Sequence, residues 1–414
     1  MKIKFIIILI LLISALISAQ EAGNISDEKI GKVISSIEEI RGVKFKNKVE
    51  YKIVSREEML RLIQKEVNLQ YSKDELKYLN IMMKLLGLID KDFDIEKLIY
   101  DLYKEQAGGL YDARTKRLYI ADWIPNELLD IVLFHELLHA LDDQYNDLEK
   151  FAFLGTSSDA KMAKLSVIEG IGTYYMLIYT FERYGMDWEA MKDFINFDIF
   201  YKMQDFSALP GMEAIADAPK FVRQQMLFPY FKGANFVNMF IRNNSTDSLF
   251  DLYESPPLST EQIMHFNKYK EDEPNKVTIK LDEKKLEGWK EVYRDDMGEL
   301  GLNLVLWNRL SSDEADEAAA GWNGDQVVLL KKGDKYSLIL KSLWDTENDA
   351  AEFINSFKKW FGGKQSSSGV GSWMEDGERI CLAKAKHSEV ILIIGDMEKM
   401  VANKIMTNLM GSKK

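Results

Sequence analysis

The sequence predicts an α+β protein: a mostly helical body carrying a small edge-strand sheet, followed by a small C-terminal α/β module. Three observations carry that prediction. Apolar residues recur at helical spacing through most of 27–184. The segment GGLYDARTKRLYIAD (108–122) instead sets Tyr111, Leu118 and Ile120 around a polar centre. From Gln326 onward the pattern changes to alternating strands interrupted by helices. Of 414 residues, 46 % are apolar and 29 % charged, which suits a sizeable core and not a disordered chain. Lys and Arg total 54 against 66 Asp and Glu, and the resulting charge of −12 argues against a general nucleic-acid binder. A single cysteine, Cys381, excludes an intramolecular disulfide framework.

The elements follow in order. Residues 1–19, MKIKFIIILILLISALISA, place Lys2 and Lys4 before an apolar run and small Ala19 before Gln20. This is the layout of a secretory signal peptide or an uncleaved N-terminal anchor, so an extracellular or cell-envelope protein with a possible membrane tether is expected. Residues 27–106 read as mostly helical, with Ile30, Val33, Ile34, Ile37 and Ile40 forming one stripe. KVEYKIVS (48–55) alternates like a strand, and Ser55 before Arg56-Glu57-Glu58 looks like a helix start. Residues 108–122 form a hairpin or a strand with a turn. Asp122 and Pro125 open a long helix through LLDIVLFHELLHAL (128–141), and a second helix runs from Ser158 or Asp159 to about Tyr184. Glycine and polar residues punctuate 185–260. Pro256-Pro257 break any helix, and Ser259 with Glu261 starts a new one.

In the tail, 326–343 reads as paired strands about a Lys332-Gly333-Asp334 turn, 346–361 as a helix and GGKQSSSGVGS (362–372) as a flexible loop. Two more strands and a helix at about 396–410 follow. The expected division is a body over 20–320, with a helical part at about 27–106 and a site-bearing part at about 107–270, and a module over 321–414.

The chemistry concentrates at HELLH (135–139). Two of only four histidines stand four residues apart. On a helix His135 and His139 project from one face and can share a metal ion. Glu136 lies about 100° around the helix, where it can reach a water rather than join as a ligand. Zn²⁺ suits such a donor set, at one ion per chain. Glu169, in the apolar run KLSVIEGIGTYYML (164–177), is the best third ligand, because a carboxylate buried there needs a cation. His265 and Asp143 compete for that place. Gly170 and Gly172 beside Glu169 would admit another backbone closely.

HELLHALDDQY (135–145) followed by Ile168-Glu169-Gly170 resembles the gluzincin metallopeptidases, the thermolysin-like group. It is similar in particular to a set of exported, largely uncharacterised prokaryotic zinc metallopeptidases. The likeness also rests on GLYDARTKRLY (109–119), FPYFKGANF (228–236), PPLSTEQIMHFNKY (256–269) and GWNGD (321–325), and spans roughly 30–355. Asp142, Ile171 and Phe266 depart from the pattern, where Gln, an acidic residue and Pro are usual.

The resemblance implies a zincin-like metallopeptidase domain in which His135, His139 and Glu169 hold zinc and a water. Glu136 would be the general base that takes the water's proton and delivers it to the leaving amine. The strand around Leu110, Tyr111 and Tyr119 would bind an extended peptide or protein substrate. His265 or Tyr230 would assist the oxyanion, and Asp143 would orient the second nitrogen of His139. The rival reading is a non-catalytic peptide- or envelope-binding protein on the same scaffold.

Overall fold

The computed structural model describes residues 25–411 except 71, 96, 99–101, 103–107, 154–156, 204–212, 368–369 and 377–378. The N-terminal leader lies outside the described residues. Among those described, no helix is long and apolar enough to cross a membrane. The protein is mixed α and β.

Helix α1 (Asp27–Arg41) is capped by Ser26 and buries Ile30, Val33, Ile37 and Arg41, so an arginine ends the predicted apolar stripe. Strand β1 (Glu50–Val54) leads into α2 (Arg56–Gln70), whose first turn donates Glu58 N–H to Ser55 Oγ. A capping box at Ser72 and Glu75 starts α3 (Lys73–Leu85). The predicted hairpin is β2 (Gly109–Asp112) and β3 (Arg117–Ala121). It turns through Lys116 at φ 52°. β3 lies in the middle of a three-stranded sheet, parallel to β1 and antiparallel to β2, so β2 is an edge.

Two long helices carry the site. Helix α4 (Asn126–Asn146) starts after Pro125 and is apolar on nearly every side, so Leu128 to Asp143 is almost wholly buried. Helix α5 (Ser158–Arg183), capped by Ser157, is buried over most of its length. The segment read as punctuated holds a third, α6 (Lys220–Asn243), of 24 residues with Pro229 inside it. Its apolar side, including Leu227, Phe228, Phe231, Ala234 and Phe240, makes it helical despite the proline. Ser259 caps the short α7 (Thr260–Met264), as expected.

The tail is a seven-stranded antiparallel sheet in the order β4-β5-β6-β10-β9-β8-β7. Its strands are β4 (Lys290–Asp295), β5 (Trp322–Lys332), β6 (Lys335–Trp344), β7 (Lys364–Ser367), β8 (Ser372–Asp376), β9 (Arg379–Lys386) and β10 (Glu389–Gly395). The boundary at 321 therefore needs correcting, since β4 joins this sheet from well upstream. It is linked to β5 through α8 (Gly298–Trp307) and α9 (Ser312–Ala319). The expected loop at 362–372 also contains β7, whose four residues are all exposed and held by pairing with β8.

The sheet is buried on both faces with the period of two that strands impose. Val327, Leu329, Leu338 and Leu392 point into the core shared with the helical body and α10 (Glu347–Phe361). Val328, Leu330, Ile339 and Ile391 point into a second core with α11 (Lys399–Gly411). Trp322, Trp344, Trp360 and Cys381 are all core residues.

Candidate metal centre

Helices α4 and α5 bring His135, His139 and Glu169 together, each no more than 1 % exposed. His135 Nε2 lies 3.2 Å from Glu169 Oε2 and 2.9 Å from His139 Nε2. His139 Nε2 is 3.7 Å from the same carboxylate oxygen. The two glycines beside Glu169 serve different ends. A Cβ on Gly172 would stand 2.7 Å from His135 Cε1 and 3.0 Å from His139 Cε1, so the imidazoles occupy that space. A Cβ on Gly170 would stand 2.4 Å from the Gly233 carbonyl carbon, and one on Gly233 would stand 2.2 Å from Ser166 O. Gly170 thus lets α5 meet the backbone of α6, as the sequence suggests.

The donor set fits a zinc ion. Bonds of about 2.0–2.1 Å in a tetrahedron separate neighbouring ligand atoms by roughly 3.3 Å. The separations of 2.9, 3.2 and 3.7 Å bracket that spacing. Hydrogen bonding alone leaves the group poorly satisfied, because at most one proton can lie between the two Nε2 atoms. Glu169 Oε1 and Glu136 Oε1 are buried without a hydrogen-bond partner. Orphaned polar atoms in such a place are costly unless a cation offsets them.

Charge is distributed unevenly. Burial, then the neighbouring His139, pushes His135 below its ordinary pKa. Burial is the largest influence on His139 and acts against its charge, but the nearby carboxylate of Glu169 together with the charges of Glu136 and Asp142 outweighs it, and the net shift is upward. Burial raises Glu169, yet the two imidazoles more than reverse it and hold the carboxylate low. At Glu136 burial outweighs the charge of His139 and the Tyr111 N–H and lifts the carboxyl to about 7.

Glu136 is fixed by the edge strand. Its Oε2 accepts the Tyr111 N–H at 2.7 Å. Gly109 lies against the same side chain, where a Cβ would be 2.9 Å from Glu136 Cγ. Ala121 N–H donates to Gly108 O, so even-numbered residues of β2 face β3 while Gly109 and Tyr111 face α4. Of the expected strand residues, Tyr111 is therefore at the site. Leu110 pairs with Tyr119, and Tyr119 lies on the middle strand, so neither presents a free backbone edge.

The remaining expectations divide. Tyr230, on α6, comes beside His135, with ring centroids 6.4 Å apart. His265 ends α7, and its Nε2 bonds Glu299 on α8 at 2.7 Å rather than any member of the metal set. Asp143 does not orient His139. Its carboxylate takes the Tyr111 hydroxyl at 2.7 Å, the Lys116 ammonium at 2.9 Å and the Leu148 N–H at 2.9 Å, tying the hairpin to the end of α4. As competitors for the third ligand position, both His265 and Asp143 lose to Glu169. His387 is exposed in a turn beside Glu347.

Sequence reasoning missed the side chains behind the site. Arg41 reaches Asp142, which also accepts the Tyr253 hydroxyl. The available signal was Arg41 standing four residues after Ile37 on the buried stripe of α1. A second acidic group, Glu261, Asp272 and Asp345, surrounds the ammonium of Lys268, which already meets its need for a cation.

Comparison with known proteins finds one family model, described as "Domain of unknown function (DUF8575)", matching residues 284–401. That stretch runs from just before β4 into α11 and does not include His135, His139 or Glu169. No curated protein matches the chain. No solved structure matches it.

Proposed function

We propose that the protein is an exported zinc metallopeptidase, built on a zincin-like body, that hydrolyses peptide bonds with Glu136 as general base. The observation that carries this reading is the buried set of His135, His139 and Glu169 with the carboxylate of Glu136 beside it. His135 and His139 would bind one zinc ion through Nε2, and Glu169 through its carboxylate. Bound zinc supplies Lewis acidity, lowering the pKa of a water toward about 7 and polarising a carbonyl.

The chain's own groups do the rest. Glu136 would take a proton from the attacking water and pass it to the leaving amine. The Tyr111 N–H, now held by Glu136, points away from β3 and is placed to receive the carbonyl of an extended substrate. That exchange would free Glu136 for proton transfer. Tyr230, whose ring lies beside His135, would assist the oxyanion.

The test is zinc content together with cleavage of a peptide library by purified protein lacking residues 1–19. One zinc per chain, and cleavage abolished by a chelator and restored by added zinc, is the expected result. A purified protein that neither carries nor binds zinc would overturn the metal assignment. Zinc binding without any cleavage would favour a binding role.

A further inference from the structure

Arg41 is the last residue of α1 and is 6 % exposed. One guanidinium nitrogen lies 3.2 Å from Asp142 Oδ1, with both side chains 1 % exposed. The other oxygen of Asp142 accepts the Tyr253 hydroxyl at 2.9 Å. The guanidinium also lies over two rings, 4.9 Å from the centroid of Tyr175 and 5.1 Å from that of Phe250. Asp142 stands one turn beyond His139 on α4, while Tyr175 stands beyond Glu169 on α5. A single side chain thus touches both ligand-bearing helices from outside the metal centre.

We propose that Arg41 is a positioning residue for the metal centre, clamping the helix that carries His135 and His139 to the helix that carries Glu169. The proposal rests on the metallopeptidase reading only for what the centre holds. A buried ion pair is not an economical way to join two helices, because desolvating both charges offsets most of their attraction. Apolar residues of similar size would pack there at least as well. What arginine adds is direction. Its plane is set by the carboxylate at its edge and the aromatic ring at its face, so one helix cannot slide or roll past the other without breaking one of the two contacts. Tyr253 fixes the rotation of Asp142, and Gly170 holds α5 against α6 on another side. Displacing His139 from Glu169 by a fraction of an ångström would degrade the donor set, as loss of groups supporting metal ligands generally does.

The test compares wild type, Arg41→Met, and Arg41→Met combined with Asp142→Leu. The double variant leaves no unpaired buried charge and is expected to fold even where the single variant does not. Zinc affinity is measured by competition with a chromophoric chelator, and histidine side-chain NMR spectra are taken on the metal-free proteins. The folded double variant is expected to lose about 10–100-fold in zinc affinity, a change that merely restoring stability would not produce. Unchanged affinity in that variant overturns the role of Arg41. A wild type that binds no zinc overturns the metal reading separately. The ring resonances of His135 and His139 then decide: movement in the double variant supports the clamp, and unmoved resonances refute it.

Discussion

Glu136 differs from Glu169 in having no imidazole within hydrogen-bonding reach, and burial outweighs the charge of His139. One oxygen takes the Tyr111 N–H and the other has no partner. Replacing it by Gln keeps the shape and the acceptor toward Tyr111 but removes the base. Glu136→Gln should keep one zinc per chain and lose about 10²–10⁴-fold in kcat, as loss of a general base does. Metal analysis and steady-state kinetics on one preparation check both halves, and comparable turnover would remove Glu136 from the mechanism. For Tyr230, the expected effect of Tyr230→Phe is a fall of about 10²-fold in kcat with little change in KM. A change confined to KM would reassign the hydroxyl to substrate binding. His135, His139 and Glu169 were legible because type and spacing carry the signal: two imidazoles at helical spacing, and a carboxylate in an otherwise apolar run. Tyr230 came only from the resemblance of FPYFKGANF. The partners of Asp143 were not legible, because which way a carboxylate turns at a helix end depends on Tyr111 and Lys116, which the local sequence does not bring near.

At the scale of elements, Gly233 at the crossing of α6 with α5 and Gly172 beside Glu169 would separate folding from the proposed metal binding. Gly233→Ala would drive a methyl into the Ser166 carbonyl where α5 and α6 cross. It should lower stability by about 1–3 kcal/mol or more, since neither backbone can yield easily. Gly172→Ala meets imidazole rings instead, and rings can turn. That variant should melt closer to wild type and yet bind zinc at least about tenfold more weakly. Chemical denaturation and chelator competition on the two proteins check the contrast, and equal losses in both assays would show that the glycines do one job. The tail strands were readable from their alternation, the hairpin from its polar centre, and α4 and α5 from start signals at Asp122-Pro125 and Ser158-Asp159 followed by long apolar blocks. Helix α6 was not, because Pro229 and Gly233 both argue against a helix when read locally. The proline is accommodated by tertiary packing, and the glycine serves the crossing with α5. Strand β7 was hidden for the opposite reason. Its Lys364–Ser367 is wholly exposed and has no apolar alternation, so only pairing with β8 makes it a strand.

The whole molecule is joined at a seam of buried carboxylates between the helical body and the seven-stranded sheet. Asp159, in the first turn of the helix that carries Glu169, accepts the backbone N–H and hydroxyl of Thr260, and its own N–H donates to Asp296 at 3.0 Å. Asp325, from GWNGD, accepts the N–H groups of Met297 at 2.9 Å and Gly298 at 2.8 Å and the Trp322 indole at 3.0 Å. It thereby ties β5 to the start of α8. Burial, then the charge of Asp296, raises the Asp325 carboxyl to about 7. Burial, then Asp296 again, raises Asp159 well above its ordinary value. In the unfolded chain such groups release their protons near about 3.9. Between that value and about 7 the folded protein therefore binds more protons than the unfolded one, and stability must fall as pH rises across the interval. The thermal midpoint of the metal-free protein should drop from pH 5 to pH 7.5, by about 1–2 °C for each kcal/mol lost. Asp325→Asn removes one titrating group from the seam while keeping an acceptor oxygen for the backbone of α8. Its midpoint at pH 5 can lie below that of wild type, but its decline toward pH 7.5 should be shallower. Calorimetry at four or five pH values in one ionic strength measures both slopes. An Asp325→Asn slope as steep as that of wild type would show that the pH dependence arises elsewhere and that this carboxylate is charged when the two parts dock.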